Sequence, residues 1–187
     1  MPPRKPTKEE VAAAAGKTID DVLRRGLSVV FSGINPGLYT AAVGHHFGRP
    51  GNRFWPTLHR AGFTPRLFQP HEQRELLPLG IGITNVVARA TATAAELTAD
   101  ELQEGAHLLD AKMKRYRPRV LAIVGIGAYR TGFARPLATM GLQEERIGAT
   151  AIWVLPNPSG LNANYQPEEL ARLFRELQEW AVDPTTT

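Results

Sequence analysis

Cysteine is absent from the chain, which excludes disulfides, thiol catalysis and any Cys-ligated zinc or iron–sulfur site. Long apolar runs are lacking too, and none approaches the roughly 20 residues that span a bilayer. The opening Met1-Pro2-Pro3-Arg4-Lys5-Pro6 leads into charged residues instead of an apolar segment, so no secretory signal is expected. These absences fit a cytoplasmic protein with no membrane partner. What is there is ordinary: 187 residues, 43% hydrophobic and 21% charged, enough for one domain with a sizeable core and no covalent staples.

Residues 1–16 hold three prolines, several charges and little to bury, and read as a basic, mobile arm with a short helix capped by Thr7 and Glu10. Residues 17–182 read as a single domain and 183–187 as a tail. The net charge of +4 suits a polyanionic partner such as nucleic acid. The densest basic run, Lys112-Met113-Lys114-Arg115-Tyr116-Arg117-Pro118-Arg119, admits two readings. It is either a helix end whose cations complement the helix dipole or a patch that contacts DNA.

Hydrophobic spacing sets out the elements. Leu27–Phe31, Ile81–Val87, Val120–Val124 and Ala151–Leu155 read as strands. Helices are expected at Ile19–Arg24, Arg53–Ala61 (capped by Asn52 and ended by Gly62), Pro70–Leu77, Thr98–Tyr116, Gly127–Phe133 and Pro167–Ala181. Asn35 to Asn52 reads as irregular. Strands alternating with helices predict an α/β fold with a mainly parallel sheet and helices on both faces.

Two segments, Gly33-Ile34-Asn35-Pro36-Gly37 and Asn157-Pro158-Ser159-Gly160-Leu161, follow apolar strands. In an open α/β sheet ligands bind outside the carboxyl ends of the strands, so both motifs face a candidate site. Asn35 is either a turn residue bonding its own backbone or a group that orients a water. A carboxamide accepts a hydrogen bond from water but takes up no proton at neutral pH, so chemistry built on it needs a substrate ready to ionise. Asn157 offers a neutral donor and acceptor for an amide-like edge. Leu161 is either one more exposed leucine or a wedge that fills the hole left by an unstacked base. Phe47 lies on the first long loop, placed to stack on a planar base, whereas Phe54 and Trp55 read as core anchors. His45 and His46 lack further ligands for a metal, and Gly125-Ile126-Gly127 lacks the third glycine of a dinucleotide fingerprint.

Gly33-Ile34-Asn35-Pro36-Gly37, then Asn52-Arg53-Phe54-Trp55, then Trp153-Val154-Leu155-Pro156-Asn157-Pro158-Ser159-Gly160-Leu161 resemble the mismatch-specific uracil/thymine-DNA glycosylase family in order and approximate spacing. The likeness runs from about Leu27 to Trp180. It implies a three-layer α/β/α fold with a short, mainly parallel central sheet, acting on uracil in G·U or related mismatches of double-stranded DNA. The implied enzyme is a monomeric, monofunctional glycosylase that needs no metal or other cofactor and leaves an abasic site for base excision repair. By the same resemblance Asn35 positions the attacking water, and Ile34, Phe47, Asn85 and Asn157 bind the base. Ser159, Gly160, Leu161 and Asn162 form the wedge and contact the DNA backbone, with Thr40, Ala88 and Arg89 in support behind the site.

The chain departs from the family at two places. Relatives can carry a lysine where Asn85 stands and an acidic residue where Ala88 stands, and Ala88 leaves Arg89 without that carboxylate. A basic residue expected after the wedge is missing from Asn162-Ala163-Asn164-Tyr165; Tyr165 either stacks in its place or packs under the last helix. Two other readings compete: a non-catalytic mismatch-binding module of the same fold, and a nucleoside-binding α/β hydrolase that needs neither wedge nor basic face.

Overall fold

Five strands, β1 (Val29–Gly33), β2 (Ile81–Asn85), β3 (Val120–Val124), β4 (Gly141–Ile147) and β5 (Thr150–Leu155), form one sheet in the order β2-β1-β3-β5-β4. The computed structural model of the protein describes residues 1–182, so the tail expected at 183–187 lies outside the described residues. β1, β2, β3 and β5 are parallel, and only β4 runs antiparallel, at the edge beside β5. The parallel strands are nearly continuous apolar runs because both of their faces are covered. Alternation decides which side chain goes where. Phe31, Ala122 and Trp153 point to one layer; Val30, Leu121 and Ile152 point to the other.

The first layer holds α3 (Phe54–Arg60), a 3₁₀ helix at Pro70–Leu79 and α6 (Pro167–Val182), which meet the sheet through Phe54, Leu58, Leu76 and Phe174. The second holds α4 (Ala99–Tyr116) and α5 (Ile126–Gly132), through Leu109, Met113 and Tyr129. The result is the expected three-layer α/β/α arrangement. α4 starts at a capping box in which Thr98 and Glu101 satisfy each other's backbone N–H groups. Among the described residues no helix is long and apolar enough to cross a membrane.

Three expectations need correction. Ile19–Arg24 is not a helix: Val22 forms a two-way antiparallel bridge with Ile83, and its buried side chain joins the core. The acids that looked like a first-turn signature are used otherwise, Asp21 accepting from Thr84 and Lys112. Asn35–Asn52 is not wholly irregular, since α2 (Leu38–Val43) follows the first motif directly and ends at Gly44 in the left-handed region. β4 has no counterpart in the sequence reading. Its residues alternate between partly buried and exposed, and its Gln and Glu side chains hide the strand pattern.

Residues 1–16 carry α1 (Lys8–Ala12), with the Thr7–Glu10 capping box in place. Ala14 packs against Ala41 and Ala90, and Gly16 N–H donates to Ala90 O, which fastens this segment beside α2. The basic run after Lys112 lies where α4 ends and β3 begins. Lys112 pairs with Asp21, Lys114 with Asp110, and the Arg119 guanidinium lies over the Trp180 ring.

Candidate active site

The carboxyl ends of β1, β2, β3 and β5 open onto one cavity of about 150 Å3. It sits where the chain order reverses, with β2 on one side of β1 and β3 on the other, the position at which open α/β sheets bind ligands. The loops that leave β1 and β2 are zipped together beyond the strands: Val86 N–H donates to Gly33 O, Val87 N–H to Ile34 O and Thr91 N–H to Pro36 O. This pairing holds the first asparagine motif over the sheet.

Asn35 does not bond its own turn. Its amide nitrogen donates to Arg89 O at 2.9 Å and to Thr91 Oγ1 at 2.8 Å. The orientation is fixed by its partners: a carbonyl only accepts, and the Thr91 hydroxyl spends its proton on Thr93 O at 2.7 Å. Both amide hydrogens are therefore committed, and Oδ1 is the polar atom left to accept a bond in the cavity. Arg89 contributes its main chain here, while its guanidinium pairs with Glu101 at 2.5 Å. That carboxylate from α4 does for Arg89 what no side chain at Ala88 can do. Ala88 itself is exposed and outside the cavity lining.

The opposite wall is built around Phe47, a non-glycine residue at φ 51°. Its ring lines the cavity and stacks on Phe54 at 4.0 Å between centroids. Thr40 on α2 accepts from Gly48 N–H at 3.1 Å, which pins the turn that carries the ring. His46 is 1% exposed. Its Nε2 lies 2.8 Å from Asp20 O, so Nε2 carries the proton and Nδ1 is the acceptor, in long contact with Asn85 Nδ2 at 3.5 Å. Burial pushes this imidazole below its ordinary value, against the opposing pull of its bond to Asp20 O. With that, His46 serves as a neutral prop for Asn85, and its two nitrogens are engaged within the fold. Gly33 makes the wall possible: a Cβ there would sit 2.5 Å from Asn85 Oδ1 and 3.4 Å from the Phe47 ring.

The second motif is more specialised than its composition suggests. Asn157 Oδ1 accepts from Ser159 N–H at 3.0 Å, and Asn157 O accepts from Asn162 Nδ2 at 3.1 Å. The acceptor half of the side chain is used inside the loop, so Asn157 brings a donor to the cavity and not the donor–acceptor pair read from sequence. Leu161 stands at the tip, 76% exposed. Beneath the loop Arg53 donates to Tyr165 O at 2.7 Å and to Ser159 O and Asn162 O at 3.0 Å. Gly160 lets the loop come down on the preceding turn, since a Cβ there would lie 2.5 Å from Gly51 O.

The structure thus brings Ile34, Asn35, Thr40, Phe47, Asn85, Asn157 and Ser159 to one cavity, with Gly160, Leu161 and Asn162 on the adjoining loop. Sequence reasoning missed Thr91, which orients Asn35 from 56 residues away, and His46 as the neighbour of Asn85. It also missed Arg49, the charged side chain in the lining. No periodicity marks such partners.

A family model described as the uracil DNA glycosylase superfamily matches residues 20–178. Among solved structures, the chain is similar to a solution NMR structure of a protein from Methanosarcina acetivorans that carries the name uracil DNA glycosylase. The TM-score is 0.57 at 19% identity, over 87% of this chain and 98% of that one. At that identity the likeness is one of fold.

Proposed function

The chain belongs to the uracil DNA glycosylase superfamily, and on that footing we propose that it is a monofunctional glycosylase that removes uracil from G·U mismatches in duplex DNA. The observation that carries this reading is the locked Asn35 amide, whose Oδ1 is left to hold a water in a cavity of about 150 Å3. A space of roughly that size takes one benzene-sized ring, as an extruded pyrimidine requires.

The N-glycosidic bond breaks with its electron pair on the base, leaving a uracil anion and an oxocarbenium-like sugar. The water held by Asn35 adds to the anomeric carbon and releases its proton to solvent. An amide suffices because the leaving group departs as a stabilised anion and the cation needs only a placed water. Phe47, backed by Phe54, supplies the stacking surface. Ile34, Asn85 and the Asn157 amide nitrogen surround the base, and Thr40 steadies the Phe47 turn. Ser159, Gly160, Leu161 and Asn162 occupy the duplex side, where Leu161 fills the vacated stack. Extrusion costs a few kcal/mol and less at a mismatch, which favours G·U over A·U. No lysine lines the cavity among the described residues, which supports simple hydrolysis over a lyase step through an amine. The proposed enzyme acts as a monomer on genomic DNA inside the cell.

The test is incubation with G·U, A·U and single-stranded U oligonucleotides followed by alkaline scission of abasic sites. Scission of the G·U duplex ahead of the A·U duplex is expected. Absence of scission on all three would overturn the enzymatic reading.

A further inference from the structure

The loop that bears Leu161 has no charge of its own: residues 157–166 include no Lys, Arg, Asp or Glu. The charge nearest to it in the hydrogen-bond network is Arg53, which arrives from below. Its guanidinium bonds three main-chain carbonyls, of Ser159, Asn162 and Tyr165, and its backbone N–H donates to Pro158 O. These partners are neutral dipoles and not carboxylates. Its buried Nε–H has no partner among the described residues, a cost accepted where the fork is aimed wholly at the loop. The next residue, Phe54, backs the Phe47 ring. One helix start therefore holds both the cavity wall and the wedge.

We propose that Arg53 is a positioning residue that sets the pitch of the 159–165 loop by drawing its main chain onto one planar fork. Three carbonyl oxygens are drawn inward, away from approaching phosphates, and Leu161 is presented to the base stack on a rigid support. A planar fork is required, because one ammonium cannot span three carbonyls. Arg53 does not line the cavity, so it acts through Leu161 and not on the base. The proposal rests on the glycosylase reading for its substrate.

The experiment is a double-mutant cycle with Arg53→Met, Arg53→Lys and Leu161→Ala, read as single-turnover uracil release from a G·U duplex and as melting temperature. Arg53→Met is expected to slow release about tenfold in the natural background and less than about twofold when Leu161 is already alanine. The melting shift should be the same in both backgrounds. Arg53→Lys should fail to restore the rate, and it carries the cycle alone if Arg53→Met does not fold. Equal losses in both backgrounds, or full rescue by lysine, would overturn the proposal. If the natural chain releases no uracil, the functional reading fails. The clamp is then judged by the same cycle in affinity for a duplex with a tetrahydrofuran abasic-site analogue opposite guanine, where additive losses refute it.

Discussion

Replacing Asn35 by aspartate is expected to slow uracil excision at neutral pH, although a carboxylate is the better base. The amide nitrogen now donates to Arg89 O and Thr91 Oγ1 at 2.9 and 2.8 Å. A carboxylate would set an oxygen against the Arg89 carbonyl and forfeit both donations, a loss of about 2 kcal/mol at roughly 1 kcal/mol per bond. Repelled from that carbonyl, the side chain swings away, and a displacement of about 1 Å costs on the order of a hundredfold in rate. The same carbonyl disfavours the ionised form, so the carboxyl titrates above its ordinary value. Once protonated it recovers a donor for Arg89 O and turns its other oxygen to the cavity, as the natural amide does. The ratio of variant to natural rate should therefore rise as the pH falls from about 8 to 5. Single-turnover release from a labelled G·U duplex across that range measures it. A variant as fast as the natural protein at pH 8 would show that the two donor bonds do not set the water's position.

Leu161→Ala should depress excision from duplex DNA about tenfold or more while leaving single-stranded substrate within about twofold; equal losses on both would remove the wedge. Gly33→Ala places a methyl 2.5 Å from Asn85 Oδ1. Because that atom ends a side chain and is not backbone, Asn85 can yield by leaving its His46 prop, so stability should fall by only about 1–3 kcal/mol while excision falls; unchanged excision would show that Asn85 does not touch the base. His46 is held neutral by burial, so the unfolded chain takes up its proton first. Its contribution is complete above its ordinary value of 6.5 and is lost as the pH falls from there toward its lowered folded value. His45, also lowered by burial, adds to that window. Glu10, Glu72 and Glu101, held at about 2 against an ordinary 4.5 by their arginine partners, lose their contribution only further down. Melting curves between pH 6.5 and 4.5 should thus fall less steeply in His46→Gln than in the natural protein, and an unchanged slope would refute the assignment.

The architecture was legible where packing follows a period. β3 matches its apolar run residue for residue, and α4 announces itself by Leu102, Leu109 and Met113 after a Thr98–Glu101 box. It was illegible where tertiary bonds overrule local signals. Thr18, Asp20 and Asp21 read as a helix start, but Val22 gains more by bridging Ile83 in the core. α2 is too short to show a repeat, and β4 is an edge strand with charged outer residues, which protect it from further pairing. At the site, the sequence pointed to Asn35 because a strand end faces a crevice. It carried no sign that Thr91 and the Arg89 carbonyl would decide which way the amide turns, since that depends on two loops meeting beyond β1 and β2.

Among the described residues the cavity lining contains no carboxylate, and its one arginine, Arg49, is exposed. On the proposed reaction this neutrality has a consequence for specificity. A site of fixed dipoles cannot drive off a poor leaving group by protonating it, because Asn35, Asn85 and Asn157 have no proton to give and His46 is neutral with its proton committed to Asp20 O. Discrimination then falls on two properties of the substrate itself: how weakly the base is paired, which sets the cost of extrusion, and how stable it is as an anion. The Asn85 amide in the cavity wall is propped by His46 and offers a bound base only dipoles. The expected pattern is a larger gap between G·U and A·U duplexes than between uracil and other mispaired bases that form comparably stable anions. A steep preference for uracil among such bases would place the selectivity in the Asn85 wall and not in extrusion.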